Sequence, residues 1–252
     1  MPLPINSFAS GILRCTLITV AISALFIGVF QYLQEQGPRS LEFDLASPIS
    51  FVFFLIVIIA AFFGSSSISS EFNQKTGHVL FSNPVSRTSV WFGKFIAAQI
   101  VSFSVISLYY SIMVAYAGIV HEVPVEILAS LGFSFVSSTM IMSIAFLASS
   151  IFRGQAGAII LVFALFIIVF PAADGFMTLM LADKPWYTPT FASGIIKHIL
   201  TIPYPADEET PAIPFFANSS VPNIAHSLGV MISYIVVSSA LSILILKRRE
   251  LT

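Results

Sequence analysis

The chain has 252 residues, of which 57% are hydrophobic and 9% charged, with 25 phenylalanines and a formal net charge of −1. Soluble domains carry about 25% charged residues, so a water-facing surface is excluded for most of this chain and its solvent is lipid. The near-neutral balance, without a basic run, excludes nucleic-acid binding. The single cysteine, Cys15, excludes an intrachain disulfide or a cysteine metal site and reads as a small buried hydrophobe.

A membrane-crossing helix needs about 20 mostly apolar residues, and the gaps between charged residues supply six such stretches. The first span is expected over 12–34, with its charge-free part between Arg14 and Glu35. Its leading region carries only Arg14, its apolar part is long, and no A-x-A site follows, so it reads as a retained helix rather than a cleaved signal. The second span is expected over 47–69 and contains the unbroken apolar run Phe51 to Phe63. The third is expected over 93–119, the fourth over 127–151, the fifth over 155–173 and the last over 223–246. Backbone groups in lipid must bond within their own segment, so each is a helix, and the alternation of a membrane barrel is absent.

Six spans place both termini on one side. With that side in the cytoplasm, Arg14, Lys75, Arg87, Lys94, Arg153, Lys247, Arg248 and Arg249 lie inside, and Arg39, Lys184 and Lys197 outside. Cations concentrate on the cytoplasmic side, which selects this orientation in a plasma membrane. Little chain is left for soluble parts: a cytoplasmic loop over 70–92 and an outer segment over 174–222. There is no G-x-x-x-x-G-K-[ST] phosphate loop, so if ATP drives this protein, another chain binds it.

The cytoplasmic loop carries the most information. Ser69 or Ser70 is placed to cap a short helix, with Glu71 facing the positive end of its dipole. Phe72, Val79 and Leu80 share one face, and Asn73, Gln74, Lys75 and His78 the other, the pattern of an amphipathic helix at a membrane surface. Gly77 weakens this helix and Asn83-Pro84 ends it. Ser86 or Thr88 is placed to cap the helix that follows. The pattern alone fits a surface-lying connector equally well. The run from Ser69 to Lys94, with Glu71, Thr76-Gly77, Leu80, Pro84, Ser86-Arg87 and Gly93-Lys94, resembles the loop between the second and third spans of type-2 ABC transporter permeases. Many relatives have Gly before Thr after the glutamate, whereas here Thr76 precedes Gly77.

The resemblance covers the whole chain and implies an all-α integral membrane protein of six transmembrane helices. It implies that the 70–92 loop is a cytoplasmic coupling helix seated on a separate ABC ATPase subunit, with Glu71, Lys75, Gly77, Pro84 and Arg87 as coupling residues. It further implies a dimer with a second permease copy or a sister permease, an export function, and a re-entrant or interfacial helix pair in the outer segment. No cofactor is expected in this chain; ATP and magnesium belong to the partner.

The outer segment is proline-rich and holds Trp186, Tyr187 and Tyr204, residues suited to a membrane interface. Its apolar pieces, 176–182 and 191–200, are too short to span. Without the resemblance, it reads as an outer loop resting on the bilayer. Asp174 stands where the fifth span ends and is a candidate pathway residue, since membrane-embedded charges are functional hypotheses by default. Asp207-Glu208-Glu209 reads as a solvated tip, and Asn218-Ser219-Ser220 fits a glycosylation acceptor. Tyr109, Tyr110 and Tyr116 are placed to line a path or to pack, and the hydroxyl-rich stretches 64–70 and 134–139 favour close helix contact. The four histidines share no helical face. Two other functions remain: a scaffold for other membrane subunits, and a six-span protease using Ser66 and His226, which are expected at opposite membrane faces.

Overall fold

The computed structural model describes residues 41–67, 87–120, 125–152, 154–180, 185–200 and 222–248. The expected first span, the loop residues Glu71, Lys75, Gly77 and Pro84, Cys15, the acidic run 207–209 and Asn218 lie outside the described residues. Every regular element among the described residues is helical. Helix α1 is described over 41–67, as an α-helix over Leu41–Ile59, a π-helical turn over Ala60–Gly64 and helix again through Ser67. Helix α2 is Arg87–Val120 and α3 is Glu126–Ile151. Helix α4 runs through Gln155–Phe163, a π segment Ala164–Val169, and Phe170–Met180. Two short helices follow, α5 (Pro189–Ser193) and α6 (Ile195–His198), and α7 is Ile224–Arg248. Among the described residues, four helices are long and apolar enough to cross a membrane: α2, α3, α4 and α7.

Several helices begin outside the charge gaps. Helix α1 is already helical at Leu41, ahead of the expected 47, and includes Glu42 and Asp44. A charge therefore marks the edge of the hydrocarbon rather than the end of the helix. Helix α2 likewise begins at Arg87, within the expected 70–92 loop.

The fifth expected span needs a correction. Helix α4 does not stop at 173 but continues to Met180, so Asp174 sits on the helix and does not open the outer segment. Residues 176–180, expected within a separate apolar piece, are the last turns of the same helix. Continuing the helix keeps backbone groups paired where water is scarce, and one charge near its end does not break it. Pro171 supplies no N–H to the preceding turn, and the π segment, with its wider register, lies immediately before it.

Helix α3 is the axis of the packing and is the most enclosed of the four long helices. It runs antiparallel to α2: Trp91 meets Phe146, Ser102 meets Ser138, and Tyr110 meets Ser130 and Ser134. Between α3 and α4 the chain turns sharply, with the Phe152 ring lying on Gly157, where an added Cβ would meet it at 2.8 Å.

Apolar side chains gain little from leaving lipid for a protein interior, so helix association rests on close contact and interhelical hydrogen bonds. Helix α3 is built for both. Its buried residues include Ser130, Ser134, Ser137, Ser138, Ser143, Ser149 and Ser150. Tyr110 Oη pairs with Ser130 Oγ and Ser134 Oγ, each at 2.8 Å. Ser102 Oγ pairs with Ser138 Oγ at 2.6 Å, and Gln99 Nε2 donates to Thr139 Oγ1 at 3.0 Å. Tyr109 and Tyr110 are buried core residues, so they pack. Tyr110→Phe keeps the ring and removes both pairings. At about 0.6 kcal/mol for each side-chain bond inside a membrane, the loss is about 1 kcal/mol, read as a lower unfolding midpoint in a denaturing-detergent titration.

Candidate functional site: the two ends of the bundle

The segment expected to form the coupling loop lies between Ser67, the last described residue of α1, and Arg87, the first described residue of α2. Its two feet are tied together, because Lys94 Nζ donates to the carbonyl of Ser67. A cation at a helix C-terminus satisfies a spare carbonyl and complements the dipole. One turn into α2, Trp91 is 2% exposed. Its ring stacks on Phe95 at 4.9 Å and stands edge-on to Phe146 at 5.6 Å. Its Nε1 donates to Ser242 Oγ of α7 at 2.9 Å, and Ser242 Oγ donates to the Phe146 carbonyl of α3 at 3.2 Å. The start of α2 is thereby fixed to both α3 and α7. Of the expected coupling residues, only the backbone of Arg87 is described, at the first position of α2.

The opposite end of the bundle, where α3 and α7 begin, is closed by residues 185–200. Thr188 caps α5 by accepting from the Phe191 amide at 3.4 Å, with Pro189 at the first helical position. Trp186 stands edge-on to His226, at the start of α7, at 5.0 Å. The chain then descends: Ser193 Oγ pairs with Ser137 Oγ at 2.8 Å. Ser137 lies about 16 Å along α3 from its first residue at about 1.5 Å per residue, near the middle of that helix. The chain returns by Ile196, whose carbonyl accepts from Ser130 Oγ at 2.7 Å. Ala192, Ser193, Ile195, Ile196 and Leu200 are buried. Burial and, second, the charge of Lys197 hold the His198 imidazole down at about 4, so it is neutral at pH 7.

Asp174 lies at this same end. The hydroxyls of Thr188 and Thr190 turn toward its carboxylate as hydrogen-bond donors. Tyr187 Oη donates to the sulfur of Met177, one turn beyond Asp174, and Tyr234 of α7 is within electrostatic reach of Tyr187 and Asp174. Sequence reasoning singled out Asp174 and missed its neighbours. The Thr188-Pro189 pair is a helix-start signal that locates α5, but no local signal brings Tyr234 beside it.

Ser66 and His226 do not form a catalytic pair. The Ser66 hydroxyl donates to the Phe62 carbonyl of its own helix. It sits beside the Ser67–Lys94 tie, whereas His226 is at the far end of α7 from Ser242, the level of Trp91. Among the described residues no three His, Cys, Asp or Glu side chains are placed to hold a metal ion.

A family model described as "ABC-2 family transporter protein" matches residues 7–251. Among curated proteins none matches the chain.

Proposed function

The chain belongs to the ABC-2 family of transporter proteins, which makes it a multi-pass membrane protein and a transporter subunit rather than an enzyme, and on that premise we propose that it is the permease of an ATP-driven exporter. Its six spans lie in the plasma membrane with both termini in the cytoplasm, and two copies, or this chain and a sister permease, enclose the substrate path. A separate ABC ATPase holds ATP and magnesium and closes on hydrolysis. The 70–92 loop is the coupling helix that receives this movement, through Glu71, Lys75, Gly77, Pro84 and Arg87.

The observation that carries the coupling reading is the attachment of the loop's feet. A surface connector needs no rigid footing, but a lever does. The Lys94–Ser67 tie joins the feet, and Trp91 links the returning foot to α3 and α7. A push on the loop therefore moves four helices together, α1, α2, α3 and α7. Residues 185–200, dipping between the helices at the other end, form the outer closure of the path, with Asp174 beside it as a pathway residue.

The test is reconstitution with the ABC ATPase and measurement of ATP turnover and of complex formation. Glu71→Ala and Arg87→Ala are expected to uncouple turnover from the permease or weaken assembly roughly tenfold, the size of losing one charge-assisted contact of about 1.4 kcal/mol. If the wild-type chain neither binds the ATPase nor changes its turnover, the coupling assignment falls and the scaffold reading replaces it.

A further inference from the structure

Helix α1 carries an apolar stripe that its described neighbours leave open. Phe54, Ile58 and Phe62 are 47%, 37% and 53% exposed, and their spacing of four places them along one side of the helix. The rest of α1 is engaged. Phe53 meets Phe166 of α4 at 6.3 Å. Gly64 lies against Ala145 and Met142 of α3, and the Ser67 carbonyl accepts from Lys94 of α2. Ile49, Val52, Ile56 and Ala60 are buried. Exposure to lipid is not in itself a sign of a partner, because apolar side chains gain little by leaving lipid. The argument for one comes from the chain that precedes α1.

Residues 12–34 include a charge-free stretch long enough to cross the membrane, and only residues 35–40 separate it from Leu41, where α1 is already helical. That linker, Glu35-Gln36-Gly37-Pro38-Arg39-Ser40, contains a Gly-Pro turn signal. At no more than about 3.6 Å per residue it reaches about 25 Å, and helices in contact lie about 8–10 Å apart. Short connections join antiparallel neighbours. The side of α1 not taken by α2, α3 or α4 is the stripe of Phe54, Ile58 and Phe62.

We propose that this stripe is the seat of residues 12–34, packed antiparallel along α1 with Gly28 against Phe54, Ala24 against Ile58 and Ala21 against Phe62. Ala21, Ala24 and Gly28 stand at helical spacing on one face. Small residues let two backbones approach closely in lipid, and large side chains opposite them fill the groove they leave. Each step of four along α1 matches a step of three or four along the segment, so one register serves all three pairs. The placement goes beyond the transporter reading: it gives α1, the helix ahead of the proposed coupling loop, a brace on its remaining side. It does not depend on that reading, and its test needs neither an ATPase nor transport.

Cys15 is the single cysteine, so Cys15→Ala gives a cysteine-free full-length chain. In that background Ala24→Cys and Ile58→Cys are combined and oxidised in the membrane. Non-reducing electrophoresis and thiol labelling then separate a bond within one chain from a bond between two. The expected result is loss of both thiols without a dimer band. Ala24→Cys with Ile100→Cys, on the exposed face of α2, is the control. It is expected to react at least about tenfold more slowly, because cysteines more than about 7 Å apart at Cα cannot be bridged without backbone movement. Gly28→Leu added to the 24/58 pair is expected to slow its oxidation roughly threefold, since overpacking forces the helices apart.

A bond between two chains at 24 and 58 overturns the placement and makes a second copy the occupant of the stripe. Free thiols at both positions overturn it in favour of lipid. Equal rates for the 24/58 and 24/100 pairs overturn it as well. Should the 24/58 variant fail to fold, Ala21→Cys with Phe62→Cys decides by the same readings. Failed crosslinking with intact ATP coupling removes this inference alone, whereas crosslinking without coupling leaves it standing and removes the coupling reading.

Discussion

Trp91→Ala is expected to destabilise the bundle by about 3–5 kcal/mol, the range for truncating a large buried aromatic side chain. The estimate follows from what the indole touches. Its ring stacks on Phe95 and meets Phe146 edge-on, and truncation leaves both rings facing a void. Its Nε1–H is the donor to Ser242, so α7 loses its direct tie to the start of α2. Trp91→Phe separates the two contributions: it retains an aromatic ring and removes the hydrogen bond, and about 1 kcal/mol is expected. Unfolding in a denaturing-detergent titration reads both variants.

Activity reads something further. With the coupling loop as a lever, Trp91→Phe is expected to leave most of the stability in place yet reduce ATP-driven transport, because the returning foot is no longer bonded to α7. Transport that tracks stability alone, with Trp91→Phe at the wild-type level, would show that Trp91 is a packing residue without a role in coupling. Ser242→Ala should then reproduce the Trp91→Phe effect, since the two side chains share one bond and their losses are not additive.

The long apolar helices among the described residues were legible because lipid demands about 20 apolar residues, a signal that needs no tertiary information. The fourth expected span shows this best: expected over 127–151, it is helical over Glu126–Ile151. The helix ends were less legible, since Glu42, Asp44 and Arg87 lie on helices beyond the charge-free gaps, whereas a charge count treats them as boundaries. The α4 extension to Met180 was missed for the same reason: Asp174 was read as a stop. The hydroxyl-rich stretch 134–139 announced close packing, but not which helices it joins. That pairing depends on contacts such as Ser137–Ser193 and Ser102–Ser138, between residues far apart in the chain. Trp91 was hidden by its position in a segment read as loop. Its partner Ser242 is one of many serines in an apolar helix, and nothing local distinguishes it.

Gly64→Ala is expected to cost about 1–3 kcal/mol, as overpacking a closed interface does, and it tests how α1 is set against α3. Gly64 closes the π-helical turn Ala60–Gly64, and a Cβ added there would lie 2.7 Å from Ala145 Cβ and 2.9 Å from Met142 Sδ. The Met142 sulfur is the outer part of a flexible side chain and can turn aside. Ala145 Cβ is fixed to the α3 backbone, so relief requires the two helices to separate. A π turn carries one extra residue per loop of its hydrogen bonding and is often found at functional positions. Here it sits just before Ser67, the last described residue ahead of the proposed coupling loop. Displacing α1 from α3 would therefore move the loop's first foot while Trp91 still holds the second, and transport is expected to fall further than stability. Ala145→Gly supplies the control: alone it costs about 1 kcal/mol as a helix-interior glycine, and combined with Gly64→Ala it should restore the close approach and recover most of the loss. If the double variant is as unstable as the sum of the two changes, the contact with Ala145 is not what sets the position of α1, and the link from the π turn to the coupling loop goes with it.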